Sequence, residues 1–195
     1  MAIPIRQRYT LDEFQEYILK PENLHKTFEY IGGEIIEVPS NPFVSLIAGL
    51  ILTAINNYLR QNDLGYATGE AGGYMVNGER YAPDVAFISY EKQPELARKG
   101  YNPNPPDLAV EVISDPNNGE EQAQLRLKLF NYLAVGVVVW VVNPHDRLVE
   151  IYNQREAITI LDENGIINGG QVLPDFTLPV TDFMPRDRTQ DGNKS

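Results

Sequence analysis

Leu108-Ala109-Val110-Glu111-Val112-Ile113 is the stretch that decides the fold. Strand alternation puts Leu108, Val110 and Val112 on one face and Ala109, Glu111 and Ile113 on the other. Both faces are apolar apart from Glu111, the pattern of a strand covered on both sides. Just downstream, Asp115 to Gly119 reads as a turn. Glu120 to Leu133 reads as a helix with Gly136 close to a C-cap position, and Val137 to Val142 is the most apolar strand in the chain. Strand, helix, strand in this order predicts an α/β (α+β) domain around a mixed β-sheet flanked by helices.

Upstream, Pro83-Asp84 leads into an apolar strand, Val85 to Ser89. A polar, Pro-rich connection follows from Tyr90 to Pro106, with a short helix near Pro94 to Arg98. Further back, Thr10-Leu11-Asp12-Glu13 fits a capping box, so a helix starts there and ends before Pro21. Thr27 to Val38 predicts an N-terminal β-hairpin turning at Gly32-Gly33. Pro39 to Pro42 break the chain, and a helix spans Phe43 to Arg60 with Val44, Ile47, Ile51, Ile55 and Leu59 at helical spacing. Gly65 to Tyr74 is Gly-rich and holds short strands and turns. On the C-terminal side, Asn143-Pro144-His145-Asp146 turns the chain into a strand from Leu148 to Tyr152. Another hairpin is expected with its turn at Asp162 to Gly165. Residues 1–184 form one expected domain, and 185–195 form a polar tail expected to be disordered.

The chain has 195 residues, enough for one well-cored domain. It contains no cysteine, which excludes disulfides and thiolate metal sites and permits a reducing, cytoplasmic setting. The stretch Phe43 to Leu59 is interrupted by Ser45, Thr53, Asn56 and Asn57. It reads as too short and too polar for a bilayer span of ~20 apolar residues, so no membrane partner is expected. The net charge of −11 argues against extended, sequence-independent binding to a phosphate backbone. It is compatible with an enzyme that meets phosphate through a divalent cation. There is no Gly-x-Ser-x-Gly elbow, Walker loop or dinucleotide fingerprint. His25 and His145 fall in predicted turns without a metal-ligand partner at helical spacing.

Three residues are poorly suited to structure alone. Glu111 is a carboxylate in an otherwise apolar strand, costly there unless it is paired or binds a metal; the plainer reading is a solvated strand end. Asp84 by itself is a turn residue at a strand start. Its interest comes from Glu111, because two carboxylates on neighbouring strands can share a hard cation such as Mg²⁺. Lys128 lies on the predicted helix at the edge of the stripe Leu125, Leu129, Tyr132 and Leu133, one turn before Tyr132. Pattern alone favours a snorkelling surface lysine there.

These positions sit within longer motifs: Phe28-Glu29-Tyr30-Ile31-Gly32-Gly33-Glu34-Ile35, Tyr81-Ala82-Pro83-Asp84-Val85-Ala86-Phe87-Ile88, and Pro106-Asp107-Leu108-Ala109-Val110-Glu111-Val112-Ile113-Ser114. A further set runs from Lys128 through Tyr132 and Gly136-Val137 to Trp140-Val141-Val142-Asn143-Pro144, and Leu173-Pro174-Asp175-Phe176-Thr177-Leu178 closes the series. In this order and spacing the chain resembles the Uma-two family, a domain of unknown function placed in the PD-(D/E)XK restriction-endonuclease-like superfamily. The resemblance covers nearly the whole chain. It departs at Phe43 and Val44, where the family often has histidine, and at Gln124, where an acidic residue often precedes the lysine. Val138-Val139 replace Glu-Tyr, and Asn143 replaces the Asp before proline.

The resemblance implies a restriction endonuclease-like fold with Asp84 and Glu111 as metal ligands. The superfamily's lysine lies two residues after the acidic residue, where this chain has Ile113; a lysine on the following helix, Lys128, takes its place. The implied activity is hydrolysis of phosphodiester bonds in nucleic acid, chiefly DNA. Mg²⁺, or Mn²⁺ in its stead, would be held by Asp84, Glu111 and the carbonyl of Val112. Glu29 or Glu34 are accessory candidates. A homodimer is expected, with Val137 to Val142 and nearby apolar surface as its contact. The alternative is a catalytically weak or inactive binding or assembly module on the same fold.

Overall fold

The computed structural model describes residues 7–38 and 41–185. The capping box forms: Thr10 and Glu13 cap each other at the start of α1 (Leu11–Ile18). β1 (Phe28–Ile31) and β2 (Glu34–Glu37) make the N-terminal hairpin, with Gly32 and Gly33 both at positive φ in the turn. α2 (Pro42–Leu59) begins at an Asn41 cap. β3 (Gly65–Gly69), β4 (Tyr74–Val76), β5 (Glu79–Tyr81) and β6 (Val85–Ser89) follow. β7 (Leu108–Val112), α3 (Gly119–Ala134) and β8 (Val138–Asn143) then form the expected crossover, and Gly136 takes a φ of 79° just after α3. β9 (Leu148–Tyr152), β10 (Thr159–Leu161), β11 (Ile166–Asn168) and β12 (Thr177–Pro179) complete the described strands.

A mixed six-stranded sheet runs β10-β9-β8-β7-β6-β3, in which β7 and β8 are parallel and every other pair is antiparallel. A second, antiparallel sheet runs β2-β1-β5-β4. The large sheet is covered on both faces, as the apolar pattern of β7 requires. On one face α2 buries Val44, Ile47, Ile51 and Ile55 in a cluster with Phe87, Val110 and Trp140. On the other, β7 and β8 contribute Ala109, Val139 and Val141 to a cluster shared with Tyr81 of the small sheet and Tyr132 of α3.

Several expectations need correction. No helix forms near Pro94 to Arg98, where side chains take the backbone groups a helix would pair: Gln93 donates to Glu95 O, and Asn102 Oδ1 accepts from Ala97 N–H. The turn at Asp162 to Gly165 does not close a hairpin: β10 pairs with β9, whereas β11 pairs with β12. The chain changes sheets there, so its two arms never meet. The hairpin of β4 and β5 was not anticipated, although its turn is Asn77-Gly78, with φ of 47° and 86°, the residue pair that a tight hairpin turn favours. β8 lies between β7 and β9, so its backbone is fully paired and it cannot serve as an edge for a second copy. By length and composition α2 is apolar enough to cross a membrane, contrary to the reading of Phe43 to Leu59 as too short and too polar, yet one face of it is built into the core. Pro39, Ser40 and all of the expected tail except Pro185 lie outside the described residues.

Candidate active site

The β7 pattern places Glu111 on the face turned towards α3, where it is 9% exposed. It does not stand alone there. Lys128 Nζ lies 2.6 Å from Glu111 Oε2, and Tyr132 OH donates to Glu111 Oε1 at 2.9 Å. Lys128 and Tyr132 are one helical turn apart on α3, so both reach the same side chain. Lys128 Nζ also donates to Glu29 Oε1 on β1 at 2.9 Å, and the same oxygen accepts the Ala82 N–H at 2.8 Å. Glu29 therefore ties the hairpin to α3 and to the segment that delivers Asp84.

Asp84 is half-buried, and its Oδ2 accepts the N–H of Val112 at 2.7 Å. The register explains this contact. β6 and β7 pair Val85 with Val110, so two residues further on Pro83 would stand opposite Val112. Proline has no N–H to give and ends the ladder, and beyond it the Asp84 carboxylate, not a strand carbonyl, accepts from the Val112 N–H. In the β7–β8 ladder, Ile113 N–H donates to Val142 O and Asp107 O accepts from Val138 N–H. The alternation directs the Val112 carbonyl away from β8, towards the position where Pro83 has no donor to offer.

Burial shapes the electrostatics. Glu111 is pushed up to about 7, first by desolvation, with Lys128 opposing and Glu29 and Asp84 adding like charge. Asp84 is pushed up to about 6 by desolvation, against the Val112 N–H and Lys128. Burial alone would strip the proton from Lys128, but Glu111 and Glu29 outweigh it and hold the ammonium charged. Desolvation and the neighbouring Glu111 keep the Tyr132 hydroxyl protonated. Tyr81 packs edge-on against Tyr132, 5.3 Å between centroids, and accepts a hydrogen bond from Asn131 at 2.6 Å.

Asp84, Glu111, Val112 and Lys128 line one cleft of about 300 Å³. Its walls come from β2, from the first turn of α2 and from the first half of α3. The sequence-derived trio thus converges, and Glu29 joins it as the second partner of Lys128. Glu34 does not: it pairs with Ile31 at the turn end of the hairpin, beyond the cleft. Sequence reading missed Tyr132 as a polar partner and placed it only in an apolar stripe. Its spacing of four residues from Lys128 was the available signal.

A family model described as "Putative restriction endonuclease" matches residues 11–181. The chain belongs to the Uma2 family. The Uma2 fold recurs in a crystal structure at 1.96 Å resolution of "a putative nuclease belonging to DUF820 from Anabaena variabilis ATCC 29413". The two superpose with a TM-score of 0.73 at 21% identity, covering 90% of this chain and 97% of that one. Among curated proteins none matches.

Among the described residues of this Uma2 chain, no three of His, Asp and Glu gather as a ready metal cage. The cleft offers instead two carboxylates and a backbone carbonyl, all hard oxygen donors. Mg²⁺ commonly takes one or two carboxylates and completes its shell with water and substrate phosphate, so Asp84, Glu111 and the Val112 carbonyl fit that requirement.

Proposed function

We propose that this protein is a Mg²⁺-dependent endonuclease, with Mn²⁺ able to substitute, that hydrolyses phosphodiester bonds of nucleic acid, chiefly DNA. The observation that carries the reading is the convergence of Lys128 on Glu111 at 2.6 Å, with Asp84 bonded to the very next residue, Val112, at 2.7 Å. Asp84 and Glu111 line one cleft with pKa values raised first by desolvation, a cost that a divalent cation bound between them would offset.

Asp84, Glu111 and the Val112 carbonyl would hold the cation. When bound, it would supply Lewis acidity, polarising the phosphate and making water a better nucleophile. Lys128 fixes the Glu111 carboxylate and adds a permanent positive charge beside the place where negative charge develops on the phosphate. Glu29 keeps that ammonium in position. Tyr132 restrains the other oxygen of Glu111, the role of a partner that orients a ligand. The homodimer and the cytoplasmic setting belong to the same reading, with a contact other than β8.

A nuclease assay with Mg²⁺ or Mn²⁺ tests the proposal, comparing the native chain with Asp84→Ala, Glu111→Ala and Lys128→Ala. Each change should remove cleavage; activity that survives all three rules the mechanism out. One observation favours the second reading, an inactive binding module: both Glu111 oxygens already have partners in Lys128 and Tyr132. Absence of cleavage by the native chain would select it.

A further inference from the structure

We propose that the cleft accepts one unpaired nucleotide, so that the substrate class is single-stranded or locally unpaired nucleic acid rather than intact duplex. This rests on the nuclease reading and specifies its substrate.

Access is the first argument. Glu111, Lys128 and Glu29 are only 9%, 6% and 7% exposed, at the floor of a cleft of about 300 Å³. That volume is at the small end of the range for sites that enclose a small molecule. A duplex is a wide, stiff rod, and lowering one of its phosphates to such a floor requires deforming it. A single strand can turn out one nucleotide, as enzymes acting on buried bases require.

Charge is the second. The residues lining the cleft include six carboxylates and one ammonium, and that ammonium is already shared by Glu29 and Glu111. Duplex affinity is built from many Lys and Arg contacts to successive phosphates. Apart from the engaged Lys128 no Lys or Arg lines the cleft, whereas one phosphate needs only the cation site itself.

The third is the chemistry of the walls. Ile31, Ile36, Val44 and Leu125 give an aliphatic surface, and Asn41 and Gln124 give neutral amides. An aliphatic surface suits the flat face of a base, which paired DNA keeps stacked and hidden. Amides suit the hydrogen-bonding edge that pairing also occupies. A cleft with no cationic wall, one apolar face and uncharged hydrogen-bonding groups is complementary to an unstacked nucleotide.

The test uses the full chain with Mn²⁺ and one labelled sequence in three forms: a single strand, a blunt duplex, and a duplex with a short unpaired bulge. Parallel DNA and RNA sets distinguish the sugar. The energy of unpairing sets the expected preference: the single strand and the bulge should be cut at least about tenfold faster than the blunt duplex. Cuts in the bulged substrate should fall within the bulge. A 2-aminopurine in the bulge should brighten as it leaves the stack for the cleft. Leu125→Trp and, separately, Ile36→Trp should fill the cleft and suppress both the cutting of the single strand and bulge and the fluorescence change while the melting temperature holds. Equal rates on all three substrates, or cuts in the paired arms, overturn the substrate assignment alone. No cutting of any form, with no Mn²⁺ uptake, overturns the nuclease reading and this inference with it.

Discussion

The two faces of the six-stranded sheet are built by different physics. On one, α2 meets the strands through Val44, Ile47, Ile51 and Ile55, hydrocarbon against hydrocarbon. On the other, the buried residues of α3 are Lys128, Asn131 and Tyr132, each with a polar partner. The first face gains stability from area removed from water. The second spends some of that gain on a buried ion network, which contributes little net stability but fixes geometry. The lesson is a division of labour: α2 holds the sheet together, and α3 brings the polar groups of the candidate site against it.

That contrast can be broken most forcefully at Lys128. Lys128→Ala leaves Glu29 and Glu111 buried without their cation, and by analogy with other buried pairs it should cost about 3–5 kcal/mol, read as a lower urea midpoint. Ile51→Ala on the opposite face should cost a similar or slightly smaller amount, about 2–5 kcal/mol. It should leave the Mn²⁺ affinity of the folded protein unchanged. If Ile51→Ala weakened Mn²⁺ binding as much as Lys128→Ala, the two faces would not be functionally separate.

Smaller effects sharpen the comparison. Tyr132→Phe keeps the ring in place and removes one hydrogen bond, at about 1 kcal/mol of stability. Loss of a ligand-orienting partner should weaken Mn²⁺ binding about ten-fold or more. A purely structural tyrosine would change the melting temperature without changing the isotherm. Acid–base behaviour gives the subtlest readout. Asp84 and Glu111 are raised to about 6 and about 7 from ordinary values near 4, so the folded state binds more protons than the unfolded chain between those limits. Without cation, stability from these groups is therefore fully present near pH 4 and is lost as pH rises to about 7. Added Mn²⁺ should flatten that slope, and Glu111→Gln should remove its own share of it.

Much of the α2 face was legible in the sequence, because its stripe and the apolar strands it covers follow simple periods. Glu111 was legible as a charge in an apolar strand, and Asp84 became so once Glu111 was noticed. The α3 face was harder. The stripe Leu125, Leu129 and Tyr132 does pack towards the sheet, but the buried positions Lys128 and Asn131 are polar and the exposed ones include Leu127 and Phe130, so periodicity blurs where the face ends. Glu29 was only a weak candidate because its partner is 99 residues away, a pairing that local pattern does not encode. The exchange of sheets between β10 and β11 is equally non-local. The Asn77-Gly78 hairpin, in contrast, was readable and went unread.

The most direct test of the account is a crystal of the native chain soaked in Mn²⁺ and measured for anomalous scattering. The account predicts a peak bound by Asp84, Glu111 and the Val112 carbonyl, absent from Asp84→Ala crystals treated in the same way. A native crystal with no peak at that position, at Mn²⁺ concentrations that support cleavage, would contradict it.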